Sequence, residues 1–133
     1  MIIISPSILS SDFSALRREV ERTGKTSAEY IHIDVMDGNF VPNLTIGPPV
    51  IKALRHCTDK VFDVHLMIEE PIRYIDDYRA AGADIITVHI EACKDVKATL
   101  EKIRNSGAKV GLSIKPKTDP SVLLPARILS SKL

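Results

Sequence analysis

The sequence predicts an α/β chain of about five β/α units, a partial eight-unit β/α barrel of the TIM type. Three observations carry that prediction. Short β-type runs alternate with helix-length amphipathic runs along most of the chain, which calls for parallel strands joined by right-handed crossovers. Polar or reactive residues recur near the C-terminal ends of successive strands: Ser7, then His32 and Asp34, then His65, His89 and Ser113. In β/α barrels the chemistry sits at that end. An open doubly wound sheet fits the alternation too, but the GxGxxG and GxxxxGKS/T phosphate loops that would favour it are absent. A complete barrel needs at least about 200 residues, and the 133 residues here hold somewhat more than half of one.

The elements follow in order. The first strand is expected over roughly Ile2 to Ser7. Ser11-Asp12 offers an N-cap for a helix in which Phe13, Leu16 and Val20 recur at helical spacing, through about Thr23. The second strand begins at Tyr30 and runs into a loop at Asp37-Gly38. Pro48-Pro49 can open the second helix, carrying Val50, Ile51 and Leu54. The third strand is Lys60 to Leu66. Pro71 opens a third helix with Ile72, Ile75 and Tyr78 on one side, and Gly82 is placed to end it. A fourth strand, Asp84 to His89, leads to a helix begun by Asp95, carrying Val96, Leu100 and Ile103 and closed near Gly107. The fifth strand is Lys109 to Ile114, after which Pro116, Asp119 and Pro120 mark a loop.

Composition is that of an ordinary globular protein, with 44% hydrophobic and 26% charged residues. A formal net charge of +1 makes no case for nucleic acid or an anionic membrane as partner. Aromatic content of 5% and the lack of Trp also argue against a stacking surface for single strands. No apolar run approaches a membrane span, and the start, Met1-Ile2-Ile3-Ile4-Ser5-Pro6, lacks the basic region of a signal peptide. Cys57 and Cys93 form neither a C-x-x-C pair nor a secreted framework, so reduced thiols in a cytoplasmic protein are expected.

The candidate site starts from the second strand. Ile31, Ile33 and Val35 alternate with His32, Asp34 and Met36. The period of two puts His32 and Asp34 on one face, with Cα atoms about 6.5 to 7 Å apart. On the third strand Asp63, His65 and Met67 share a face opposite Val64 and Leu66. Neighbouring parallel strands lie about 4.8 Å apart, so His65 can reach the same point. Two imidazoles and a carboxylate suit a divalent transition metal; separate, hydrogen-bonded histidines at strand ends are the alternative. Met36 and Met67 read as core filler on spacing alone, Ser7 as a strand-end hydroxyl bonded to backbone, and Asp37 as a residue that fixes the turn with Gly38. His89 stays ambiguous.

Three segments then resemble the ribulose-phosphate 3-epimerase family, in order and at suitable spacing: Ser5-Pro6-Ser7-Ile8-Leu9-Ser10-Ser11-Asp12-Phe13, the run from His32 to Asn43, and Asp63-Val64-His65-Leu66-Met67. Lesser matches are Ala81-Gly82-Ala83-Asp84, His89-Ile90-Glu91 and the Gly107-to-Leu112 run leading to Lys115-Pro116. The resemblance spans about residues 2 to 125 and implies a ribulose-phosphate-binding β/α barrel. Such an enzyme interconverts ribulose 5-phosphate and xylulose 5-phosphate at C3 through an enediolate, in the pentose phosphate pathway. It further implies that His32, Asp34 and His65 are metal ligands and that Asp34 is also one of two acid/base aspartates. Ser7 and His65 would contact the ketopentose phosphate, with Met36 and Met67 lining the reacting centre. The implied cofactor is one divalent metal, zinc first, with iron, manganese or cobalt as alternatives.

The departure from that family lies at the C-terminal end. The second aspartate, also a metal ligand, and the glycine-rich phosphate loops belong to later strands that this sequence does not hold. Residues 1–125 are expected to form the N-terminal part of the barrel and 126–133 a divergent tail. The expectation is therefore a truncated chain with little epimerase activity by itself. Two other readings stand beside it: a non-catalytic metal- or partner-binding half barrel, and a fragment of a related epimerase acting on allulose 6-phosphate. Open barrel edges would favour homo-oligomers or other self-association.

Overall fold

A computed structural model describes residues 2–124; the expected tail at 126–133 lies outside the described residues. Among the described residues four strands form one parallel sheet: β1 (Tyr30–Met36), β2 (Val61–Met67), β3 (Ile85–His89) and β4 (Lys109–Ser113), in spatial order β1-β2-β3-β4. Four helices cross between or precede them: α1 (Leu16–Gly24), α2 (Pro48–Leu54), α3 (Ile75–Ala81) and α4 (Val96–Asn105). Sequential strands that are spatial neighbours, all parallel, follow the strand order of a β/α barrel wall. Among the described residues no helix is long and apolar enough to cross a membrane.

The segment expected as the first strand differs from expectation. It lies beside β1 in the parallel sense, with Ser7 bridged to His32, but its hydrogen bonds run one way. Glu29 N and Tyr30 N donate to Ile4 O, and His32 N donates to Pro6 O. Pro6 has no N–H to return, and Ile4 N donates instead to the Glu29 side chain at 2.8 Å. A ladder lacking half its donors does not continue as a strand. Ile2, Ile3 and Ile4 are consequently exposed.

Local chemistry accounts for the helix ends. The first helix is split, because Asp12 accepts from Ser14 N and caps a 3-10 turn, Phe13–Ala15, that leads into α1. Phe13 is exposed, so the apolar face of this helix rests on buried Val20, with Leu16 partly buried against the same core. Pro48 and Pro49 occupy the first turn of α2, where their fixed φ suits the helix and no N–H is missed. Gly82 ends α3 at φ 115°, a left-handed conformation that favours glycine. Asp95 accepts from Ala98 N at 2.9 Å to start α4.

Burial alternates strictly along β1 and β2. The outward face, Ile31, Ile33, Val35, Phe62, Val64, Leu66, Ile86 and Val88, is fully buried with Val20, Ile51, Leu54, Ile75, Tyr78, Leu100 and Ile103 of the helices. Each such side chain contributes about 1.5–3 kcal/mol by leaving water. That apolar layer fixes register, since a slip by one residue would turn every core side chain to the other face. The same constraint forces His32, Asp34, Asp63 and His65 onto the inner face. The fold thus positions the site through its core.

Candidate metal centre

β1 and β2 pair so that His32 stands opposite Asp63 and Asp34 opposite His65. These four side chains are 13–25% exposed, so the cluster is partly buried and still open to solvent. His32 Nε2 lies 3.2 Å from Asp34 Oδ1, and His65 Nδ1 lies 3.3 Å from the same oxygen. One ligand atom from each of His32, Asp34 and His65 falls within 4.8 Å of the others. Zinc bonds of about 2.0–2.1 Å in tetrahedral geometry place ligand atoms about 3.3–3.4 Å apart. Two of the separations already match that edge, and the nitrogen and oxygen donors are of the type that zinc and its neighbours take. The residues therefore fit a divalent metal.

Electrostatics points the same way. Hydrogen bonds to Asp34 and Asp63 raise the pKa of His32 from 6.5 to about 9, against the opposing effect of burial. In the metal-free chain an imidazolium thus sits between two carboxylates. Burial would raise the Asp34 carboxyl, but hydrogen bonds with His32, His65 and Ser7 outweigh it and hold the group well below the usual carboxylate range. The position is built to hold positive charge.

Ser7 donates to Asp34 Oδ2 at 2.5 Å and accepts from Leu9 N, capping the short turn Ile8–Ser10. It leaves Oδ1 as the oxygen facing both imidazoles. Met36 and Met67 are register partners one pleat repeat beyond Asp34 and His65, half-buried on the same face. The structure thus brings Ser7, His32, Asp34 and His65 into contact and sets the two methionines beside them toward the strand ends. Asp37 fixes the turn: its Oδ1 accepts from Asn39 N and Phe40 N, and Oδ2 from Glu69 N.

Several contacts at the site come from residues to which sequence reasoning attached no role. Asp63 Oδ2 lies 2.7 Å from His32 Nδ1. His89 Nε2 lies 2.8 Å from His65 Nε2, and the two rings stack at 4.9 Å. Thr45 holds the backbone of β1 by donating to Asp34 O and accepting from Met36 N. Alternation placed Asp63 on the right face and His89 at a strand end, but only the strand register shows what they touch.

Comparison with known proteins gives a consistent picture. A profile of the Ribulose-phosphate 3 epimerase family matches residues 3–129. A ribulose-phosphate 3-epimerase of Bacillus subtilis (strain 168) is 52% identical over 123 residues, covering 92% of this chain and 57% of that protein. One of Synechocystis sp. is 50% identical over 119 residues, covering 88% of this chain and 52% of that protein. The chain spans about half the length of the curated relatives it matches. Among solved structures, a protein from Coccidioides immitis provisionally assigned as a deoxyribose-phosphate aldolase matches with a TM-score of 0.61 at 12% identity. That match covers 98% of this chain and 55% of the other, a likeness of fold alone.

Proposed function

The chain belongs to the ribulose-phosphate 3-epimerase family, and from that premise we propose that it carries the metal-binding part of a site for C3 epimerisation of ribulose 5-phosphate. The observation that carries this reading is the convergence of His32 Nε2 and His65 Nδ1 on Asp34 Oδ1. These three atoms would hold one divalent cation, zinc first, with iron, manganese or cobalt as alternatives of similar ligand preference. When bound, such an ion supplies Lewis-acid stabilisation of negative charge building on the ketose oxygens.

The residues of the chain supply one of the two proton transfers. The C3 proton lies beside the C2 carbonyl and is removed to give a planar enediolate. Asp34 stays ionised at neutral pH because its hydrogen bonds hold the carboxylate form, so it is in the state a base requires. Oδ2, the oxygen turned away from the imidazoles, takes the proton, and the Ser7 hydroxyl that it released turns to a substrate oxygen. Inversion of C3 needs a second acid on the opposite face of the enediolate, the role that the family resemblance gives to an aspartate of a later strand; return of the proton from Asp34 restores the starting sugar. Met36 and Met67 narrow the reacting space and keep water from it.

Proton exchange isolates the step assigned to Asp34. Ribulose 5-phosphate is incubated in deuterated water with the zinc-loaded chain, and loss of the C3 proton signal is followed by NMR. The expected result is zinc-dependent exchange that slows by about 100-fold or more in Asp34→Asn, the range for loss of a general base. Exchange no faster than in zinc-containing buffer, or equal rates in the variant, would overturn the proposal.

A further inference from the structure

We infer that Asp63 and His89 are positioning residues that fix opposite ring tautomers in the two histidines of the metal centre, so that His32 offers Nε2 and His65 offers Nδ1. The inference rests on the metal reading above and concerns residues that reading leaves without a role. His32 and His65 turn different nitrogens toward Asp34 Oδ1, Nε2 at 3.2 Å and Nδ1 at 3.3 Å. Each remaining nitrogen has its own partner. His32 Nδ1 lies 2.7 Å from Asp63 Oδ2. An ionised carboxylate only accepts, so that nitrogen carries the proton, and the lone pair of a neutral ring is left on Nε2.

His65 is fixed by a longer chain of contacts. Its Nε2 lies 2.8 Å from His89 Nε2, and two ring nitrogens at that distance share one proton. The other nitrogen of His89, Nδ1, is buried without a hydrogen-bond partner, and the Glu91 carboxylate lies 3.5 Å away. Glu91 is itself held by Lys115 N at 2.6 Å and by Thr118 Oγ1. A proton on His89 Nδ1 facing that carboxylate makes His89 Nε2 the acceptor. His65 then donates from Nε2, and its lone pair stands on Nδ1. Fixing the tautomer in advance removes an isomer that cannot bind, and a carboxylate behind an imidazole also raises its basicity. Loss of such a partner costs about 10–100-fold in metal affinity.

The test is long-range proton–nitrogen correlation NMR on the nitrogen-15-labelled, zinc-loaded chain, with zinc affinities from chelator competition. The expected spectrum shows the protonated nitrogen as Nδ1 in His32 and Nε2 in His65. Asp63→Ala and His89→Leu should each weaken zinc binding by about 10–100-fold. Asp63→Asn and His89→Gln, which keep an acceptor oxygen, should recover part of the loss, an effect that a merely structural role would not produce. The same protonated nitrogen in both rings, or affinities unchanged in Asp63→Ala and His89→Leu, overturns the inference. Should either variant fail to fold, the spectrum of the unsubstituted chain decides. An unsubstituted chain that binds no zinc overturns the metal reading itself, which separates the two failures.

Discussion

Asp34 is the residue on which the site balances. Its Oδ1 faces two imidazoles and its Oδ2 a hydroxyl, and the nearby Asp63 adds a second negative charge behind His32. In the metal-free chain the proton on His32 supplies the missing positive charge. Because the folded pKa of about 9 lies above the value of 6.5 for a free imidazole, the stabilisation is fully present below pH 6.5. It is lost as pH rises through about 9. The melting temperature of the metal-free chain should therefore fall across that window, and His32→Gln should flatten the fall; parallel profiles for the two chains would contradict the assignment. Zinc competes for the same position, so its binding should release close to one proton near pH 7.5, read by calorimetry in buffers of different ionisation enthalpy. His32, Asp34 and His65 were legible in the sequence because a period of two and one neighbouring strand suffice to bring them together. Asp63 and His89 were not, since their roles depend on which nitrogen of each ring is turned inward.

The elements show why some boundaries could be read and others not. Pro48-Pro49, Gly82 and Asp95 mark helix ends through backbone chemistry that acts locally, and the structure places the start of α2, the end of α3 and the start of α4 where those residues predict. Pro71, expected to open the third helix, instead opens a separate 3-10 turn, Pro71–Arg73, and α3 starts only at Ile75. The leading Ile2–Ser7 run has the composition of a strand, but its one-sided hydrogen bonding follows from Pro6 and from the competing Glu29 side chain, which composition does not reveal. Phe13 fits a helical spacing, yet the cap at Asp12 starts a 3-10 turn and rotates it into solvent. One glycine carries a test of strand packing. Gly111 in β4 is the partner of Thr87 in β3, and a Cβ there would meet Thr87 Oγ1 at 2.1 Å, Cβ at 2.9 Å and Cα at 3.1 Å. Rotation of the hydroxyl can relieve only the first contact. Gly111→Ala should cost about 1–3 kcal/mol, as overpacking does, and denaturant unfolding should show it; a midpoint equal to that of the unsubstituted chain would mean that β3 and β4 are not packed this closely.

At the scale of the whole molecule, the sheet buries its outer face under helices and leaves its inner face for chemistry, the division of labour of a β/α barrel. Among the described residues β4 pairs only with β3, and Val110 on it is exposed. An unpaired strand edge is a template for another chain, so the 133-residue chain should associate as its concentration rises. Light scattering coupled to size exclusion checks this, and a monomer at every concentration would contradict it. The inner face decides the function proposed here, and zinc K-edge X-ray absorption on the zinc-loaded chain addresses it most directly. With His32, Asp34 and His65 as ligands, the first shell should contain only nitrogen and oxygen at about 2.0–2.2 Å, including two imidazoles. Sulfur at about 2.3 Å, which Cys57 or Cys93 would supply, or a first shell without imidazole would contradict the account.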